Sequence, residues 1–279
     1  MTGFLRQVYY VAWSDLMYMK HNLANILVMT IMSPLLYLIA FGFGLRSGTT
    51  DIGVSYVSFV IPGIMALSAL NSSFSSTSSR MNVQKMFYKS FDELMMCPIN
   101  LHAVVWGKCV FGIIRGLTGC FLLYALGLVL GWAGISDDAL QLTPLAVVCT
   151  IVACVSFSFL GMAAALIAKS HTSISTFNSL IILPMTFLCG TFFSVSSLHP
   201  VFQAILYCLP LTYASETIRA AALPDYLDFP WLCLLGLVLW GVAFYALDYW
   251  LLKSKRVRGQ VLLTPWSISS RMYRAPWAP

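Results

Sequence analysis

Apolar windows of about 20 residues recur six times along the chain, at roughly 23–45, 56–77, 104–131, 142–168, 172–193 and 229–252. A helix needs about 20 such residues to cross the hydrocarbon core of a bilayer. The pattern therefore predicts an all-α polytopic membrane protein with six transmembrane helices. Prolines 34, 62 and 184 fall inside three of these windows, where each predicts a local kink that neighbouring helices must re-satisfy.

Three stretches depart from the spanning pattern. Residues 1–22 are aromatic and mixed: Leu5, Val8, Tyr9, Ala12, Trp13 and Leu16 share one helical side, and Arg6, Ser14 and Asp15 lie elsewhere. This predicts a helix in the membrane interface, with the ragged start of the first span as the alternative. In residues 81–108, Met86, Phe87, Phe91, Leu94 and Met95 recur at three- and four-residue spacing before Pro98. Lys85, Lys89, Asp92 and Glu93 fill the other face. That amphipathic pattern predicts a helix over 85–97 that docks into a partner's groove or rests on lipid headgroups. The third stretch runs from Pro184 to Pro224: an apolar run through Gly190, Thr191, Phe192 and Phe193, a polar break ending at Pro200, and a second run, Val201 to Leu209, cut by Pro210. The second run is too short to span, so it must dip into the membrane, lie on it, or pack inside protein.

Composition agrees: 59% of the 279 residues are hydrophobic and 9% are charged, against roughly 25% charged in soluble domains. Arg6, Gln7, Asp15 and Lys20 interrupt the first 22 residues, so no cleavable signal peptide is expected. The net charge of +6 follows membrane topology. The N-terminus, the 78–103 loop with Lys108, the 169–171 turn and the tail from 253 carry 13 of the 16 Lys and Arg residues. The opposite loops carry Arg46 and Arg219 against six carboxylates. The positive-inside rule then places both termini in the cytoplasm of an inner-membrane protein. The chain reads as one transmembrane domain: interfacial helix 1–22, bundle 23–252, basic tail 253–279.

Arg115, inside the third span, either snorkels to the cytoplasmic face or turns into the bundle. Asp248 is expected at the interface or against the basic run Lys253–Arg258. The serine-rich stretch 68–79 can line a wet path or let helices approach closely. The eight cysteines form no metal-binding spacing, and most read as small hydrophobes. No G-x-x-x-x-G-K-[ST] loop is present to cradle ATP phosphates, no carboxylate pair sits mid-membrane, and no H-E-x-x-H or Ser/His/Asp set is recognisable. A membrane enzyme acting on lipids, an ion-coupled carrier and a non-transporting scaffold are rival readings, and the first two lack the polar clusters they need.

The residues also carry a resemblance. Tyr56 to Gly63 (YVSFVIPG), Phe91 to Leu94 (FDEL) and Cys97-Pro98 are similar to the membrane subunits of type-2 ATP-binding-cassette exporters. So are Gly190 to Phe193 (GTFF), Leu198 to Pro200 (LHP), Leu209 to Tyr213 (LPLTY) and Arg219. The subgroup resembled includes nodulation-factor and daunorubicin-type exporters. His199 departs from the apolar residue expected there. The resemblance implies a permease subunit of an ATP-driven exporter for an amphiphilic or hydrophobic cargo. ATP and Mg would be bound by two copies of a partner ATPase, and a second permease copy would complete a homodimer among membrane lipids, without nucleic acid. It further implies a coupling helix over 85–97 and short re-entrant helices over 194–222 between spans five and six. There Gly190, Thr191, Phe192, Phe193, Pro200, Pro210, Thr212, Tyr213, Glu216 and Arg219 would form an outer gate, with Glu216 and Arg219 able to pair at i,i+3.

Overall fold

The computed structural model describes residues 2–37, 39–40, 56–132, 143–168, 170–188, 199–223 and 227–262. Among them no strand occurs. The helices are α1 (Thr2–His21), α2 (Leu23–Tyr37), α3 (Tyr56–Met86), α4 (Ser90–Met96), α5 (Leu101–Trp132), α6 (Pro144–Ile167), α7 (His171–Phe177), α8 (Leu183–Leu188), α9 (Pro200–Leu206), α10 (Pro210–Ala222) and α11 (Trp231–Leu262). Among the described residues four helices are long and apolar enough to cross a membrane: Ser58–Met86, Leu101–Val129, Pro144–Ile167 and Trp231–Lys255. The first and fifth expected spans are helical over Leu23–Tyr37 and His171–Leu188, and their remaining residues lie largely outside the described ones.

α3 is the central element. It packs against α5, α6 and α10, and 83% of its most apolar window is buried, against 22% for α11. Small residues permit this packing. A side chain at Gly116 of α5 would collide with Ser73 Oγ, and one at Gly161 of α6 would come within 2.7 Å of the Phe74 carbonyl. Close backbone approach of this kind gives helices their contact energy where lipid removes the hydrophobic drive. Ser68, Ser73 and Thr77 are buried at these crossings, so much of the serine-rich stretch serves packing.

The hydropathy pattern ends the second span near residue 77, but α3 continues to Met86. Its 31 residues span about 46 Å at 1.5 Å each, roughly 15 Å beyond a hydrocarbon core of about 30 Å. The overhang is polar enough to read as loop and is helical because it packs on its neighbours. Two apolar clusters mark the ends of the bundle. One joins Phe59, Ile64 and Leu70 of α3 to Leu211, Ala214 and Ile218 of α10. The other joins Met81 of α3 to Phe91 of α4, Val104 and Val105 of α5, and Leu166 near the end of α6.

α7 and α8 form one run through a π-helical turn, Asn178–Ile182. Pro184 explains it: the proline has no N–H and its ring crowds the carbonyl of residue 180, which the wider turn accommodates.

Candidate functional site

The α4 end of the bundle carries the first group of candidate residues. The expected single helix over 85–97 is two pieces: Lys85 and Met86 end α3, and Ser90–Met96 form α4. Between them Lys89 adopts φ 52°, the left-handed region, which costs a residue with a Cβ of order 1 kcal/mol. This break reorients the apolar face. Phe91 is buried in the protein's own cluster around Met81, Val104 and Val105, with Leu94 and Met95 packed at its edge. Phe87, Tyr88, Asp92, Glu93 and Met96 are exposed. The exposed surface here therefore pairs two carboxylates with Phe87, Tyr88 and Met96, and Phe91 holds that surface in place.

Lys85 also has a different neighbour from the one its spacing implies. Its Nζ donates to the carbonyls of Ala165 (3.1 Å), Leu166 (3.1 Å) and Ala168 (2.5 Å). Lys255 of α11 donates to Leu166 as well, at 2.8 Å. Two lysines thus cap the C-terminus of α6, where orphan carbonyls and the negative dipole end favour cations. The ends of α3, α6 and α11 are joined beside α4.

A cluster that the sequence does not reveal lies close by. Asp15, read as outside the apolar face of α1, is 2% exposed, whereas Leu5, Tyr9 and Trp13 are turned outward. The buried face of α1 is Val11, Ala12 and Asp15, pressed on α5 where Gly107 leaves room for Val11. Asp15 Oδ1 accepts from Arg80 at 2.9 and 3.2 Å and from Gln84 at 2.7 Å. Asp15 Oδ2 accepts from Lys108 at 3.3 Å, and Lys108 also donates to Gln84 at 2.7 Å. The Arg80 guanidinium stacks 4.0 Å from the Tyr18 ring centre. One carboxylate thus ties α1 to α3 and α5. The available signal was Asp15 standing alone as the acid of residues 1–50, with Arg80 and Gln84 one helical turn apart.

At the other end of the bundle, the break at Pro210 is as expected: α9 ends at Leu206 and Pro210 starts α10. Thr212 Oγ1 donates to the Leu206 carbonyl at 2.6 Å, and Tyr213 Oη to the Tyr207 carbonyl at 2.6 Å. Tyr207 Oη donates to Glu216 Oε1 at 2.9 Å, and Cys233 Sγ of α11 approaches Glu216 Oε2 at 3.2 Å. The Tyr213 ring lies where Gly236 of α11 leaves no side chain in its way. Glu216 and Arg219 do not form the expected pair. Glu216 turns to Tyr207 and Cys233, while Arg219 is buried over the Phe59 ring at 3.8 Å, donating to the Phe59 carbonyl at 3.3 Å. They diverge because Arg219 sits on the buried face of α10 against α3. The apolar side chains of α9, Val201, Phe202 and Ile205, point outward. Pro200 opens α9 at its first helical position. Gly190, Thr191, Phe192 and Phe193 lie outside the described residues.

Two intramembrane charges complete the picture. Arg115 turns into the bundle and donates from Nε to Thr30 Oγ1 at 3.0 Å. Asp248 corrects an expectation: it is fully buried, and neither carboxylate oxygen has a hydrogen-bond partner among the described residues. Its helix face points at the bundle about one and a half turns before the basic run begins at Lys253. Among the described residues no cluster of His, Cys, Asp and Glu could hold a metal. His102 stacks on Tyr249 and meets Tyr245, and His171 bonds Asn82.

Residues 6–223 match the family described as ABC-2 type transporter. The chain belongs to that family. The inner membrane transport permease YadH of Escherichia coli (strain K12) is 29% identical over 248 residues, covering 85% of this chain and 92% of YadH. Nodulation protein J of Rhizobium meliloti (strain 1021) is 29% identical over 217 residues, 75% of this chain and 76% of that protein. Nodulation protein J of Neorhizobium galegae is 27% identical over 194 residues, 68% of this chain and 71% of that protein. These relatives agree with the subgroup that the GTFF, LHP and LPLTY motifs resemble. The chain is therefore a multi-pass permease subunit of an ABC transporter in the inner membrane, a transport component rather than an enzyme. Membership implies association with an ABC ATPase.

Proposed function

We propose that this permease works in ATP-driven export of an amphiphilic or hydrophobic cargo, with ATP and Mg bound by the partner ATPase. The observation that carries the reading is the reach of α3. At one end it leads into α4 and is tied to α6 through Lys85. At the other it holds Arg219 of α10 through Phe59. One buried helix thus connects the surface offered to an ATPase with the α9–α10 corner.

In this reading both termini and α4 are cytoplasmic, and two permeases and two ATPases form the working unit. ATP binding closes the ATPases and moves α4. Phe91 and the lysine-capped end of α6 transmit the movement, because a packed core switches between discrete arrangements rather than bending continuously. Asp92, Glu93 and Lys89 serve the ATPase contact together with Phe87, Tyr88 and Met96. Tyr213, Thr212, Glu216 and Arg219 fix the corner that seals or opens the outer end, with Gly190 to Phe193 preceding it. The apolar, exposed face of α9 suits a cargo that remains in contact with lipid.

The test is ATP hydrolysis by the co-purified complex. Glu93→Lys on the exposed face is expected to weaken ATPase retention or to uncouple hydrolysis from transport, with the permease melting as wild type. Intact assembly and coupled turnover in that variant would remove α4 from the contact.

A further inference from the structure

Arg115 is a cation inside a membrane-length helix with a single hydrogen bond, to Thr30, and its surroundings are built like a receptor. It lies fourteen residues after the start of α5 at Leu101, about 21 Å along the helix axis. Lys108, in the Asp15 cluster, lies half as far. An arginine at such depth is costly and normally faces a partner or a wet cavity. The partner is not a carboxylate: among the described residues both ion pairs are made by Asp15, one with Arg80 and one with Lys108. Among the described residues only Nε is engaged, by Thr30, although a guanidinium offers five N–H donors in a planar fork.

The guanidinium faces a recess of about 160 Å³ between α2, α3 and α5, far above the roughly 15 Å³ that a single water requires. Besides Arg115 and Thr30, its polar lining comprises Ser68, Asn71, Ser72, Ser75 and Ser33, with no acid. Ser68 is 1% exposed, and its hydroxyl has no hydrogen-bond partner among the described residues. Its side chain lies on the recess wall beside Gly119, where a Cβ would stand 2.8 Å from Ser68 Oγ and 2.9 Å from Thr30 Cγ2. At the mouth of the recess and beyond it, α2 presents exposed Met29, Val28, Met32 and Leu36. A cationic fork, a ring of hydroxyls and an apolar rim describe a site for an oxyanion joined to a hydrocarbon tail.

We propose that this recess binds the phosphate head group of an anionic lipid-like amphiphile, with Arg115 as the charge partner and the α2 rim against its acyl chain. The site is separate from the α4 and α9–α10 ends, and binding there is independent of how transport is energised. Phosphate and guanidinium match bidentately, which a lysine at the same place would not reproduce.

The experiment reads lipid retention by native mass spectrometry, using the full-length chain extracted from nanodiscs of equal phosphatidylglycerol and phosphatidylcholine. Wild type is expected to retain phosphatidylglycerol preferentially, by about tenfold or more, as one charge-assisted contact at a shielded site provides. Arg115→Met should bring the two lipids near parity. Arg115→Lys, which keeps the charge but loses the planar fork, should also lower the preference and guards against a folding defect in the first variant. Both variants are compared by the rise in melting temperature that phosphatidylglycerol confers. Equal retention in wild type and both variants overturns the site. A rise with inorganic phosphate alone that equals the rise with phosphatidylglycerol overturns the lipid assignment.

Discussion

Asp15→Ala tests the buried charge cluster. The substitution removes the acceptor for three donors and leaves Lys108, 8% exposed, beside Gln84 alone. Arg80 is 21% exposed and stacked on Tyr18, so it can turn towards water. Breaking one side of a buried pair costs about 3–5 kcal/mol, and the partial escape of Arg80 places this variant near the lower value, about 3 kcal/mol. In a chain of this size that lowers the melting temperature by roughly 6–12 °C. The control is Asp15→Leu combined with Lys108→Met, which removes both buried charges and replaces them with apolar groups of similar size. It should recover most of the loss, because a well-packed apolar replacement of a buried pair is often neutral. The assay is thermal unfolding of the purified protein in one detergent. Limited proteolysis should show α1 released in the single variant and held in the double one. A single variant that melts within 2 °C of wild type, or a double variant worse than the single, would refute the account.

Other expectations follow from the same geometry. Phe91→Ala empties a buried site and should cost about 3–5 kcal/mol, whereas Phe87→Ala, on the exposed side of the break, should leave melting unchanged. Asp248→Asn or Asp248→Leu should keep or raise the melting temperature, since a fully buried carboxylate without a hydrogen-bond partner is unfavourable. A fall of several degrees would reveal a partner that Asp248 holds. Tyr207→Phe removes the donor to Glu216 and should cost about 1 kcal/mol, read as a small fall in melting temperature, with the exposed face of α9 more open to proteolysis.

Much of the fold is legible in the chain because lipid imposes simple rules. The apolar windows mark the membrane-length helices, and the α9 break stands at Pro210 because the run before it is too short to span. Where side chains point is less legible. A three- and four-residue repeat marks Phe91 as apolar-facing but cannot say whether that face meets a partner or the chain's own core; the left-handed turn at Lys89 decides it. Asp15 reads as outward-facing because its partners are 65 and 93 residues away, a distance over which no local pattern acts. Glu216 and Arg219 have the spacing of a pair, but the buried face of α10 separates them. The overhang of α3 is too polar for a hydropathy window and becomes a helix through packing. For Arg115 the sequence leaves two directions open, and the inward one follows from Thr30 standing opposite on α2.

The central claim is that α4 faces the ATPase while the α9–α10 corner lies at the opposite side of the membrane. Photocrosslinking from the two places tests it most directly. A benzophenone amino acid is introduced at Glu93 in one preparation and at Phe202 in another, each co-expressed with the partner ATPase. The account predicts a crosslink to the ATPase from position 93 that changes with ATP, and none from position 202. A crosslink from position 202, or none from position 93 in an assembled complex, would contradict it.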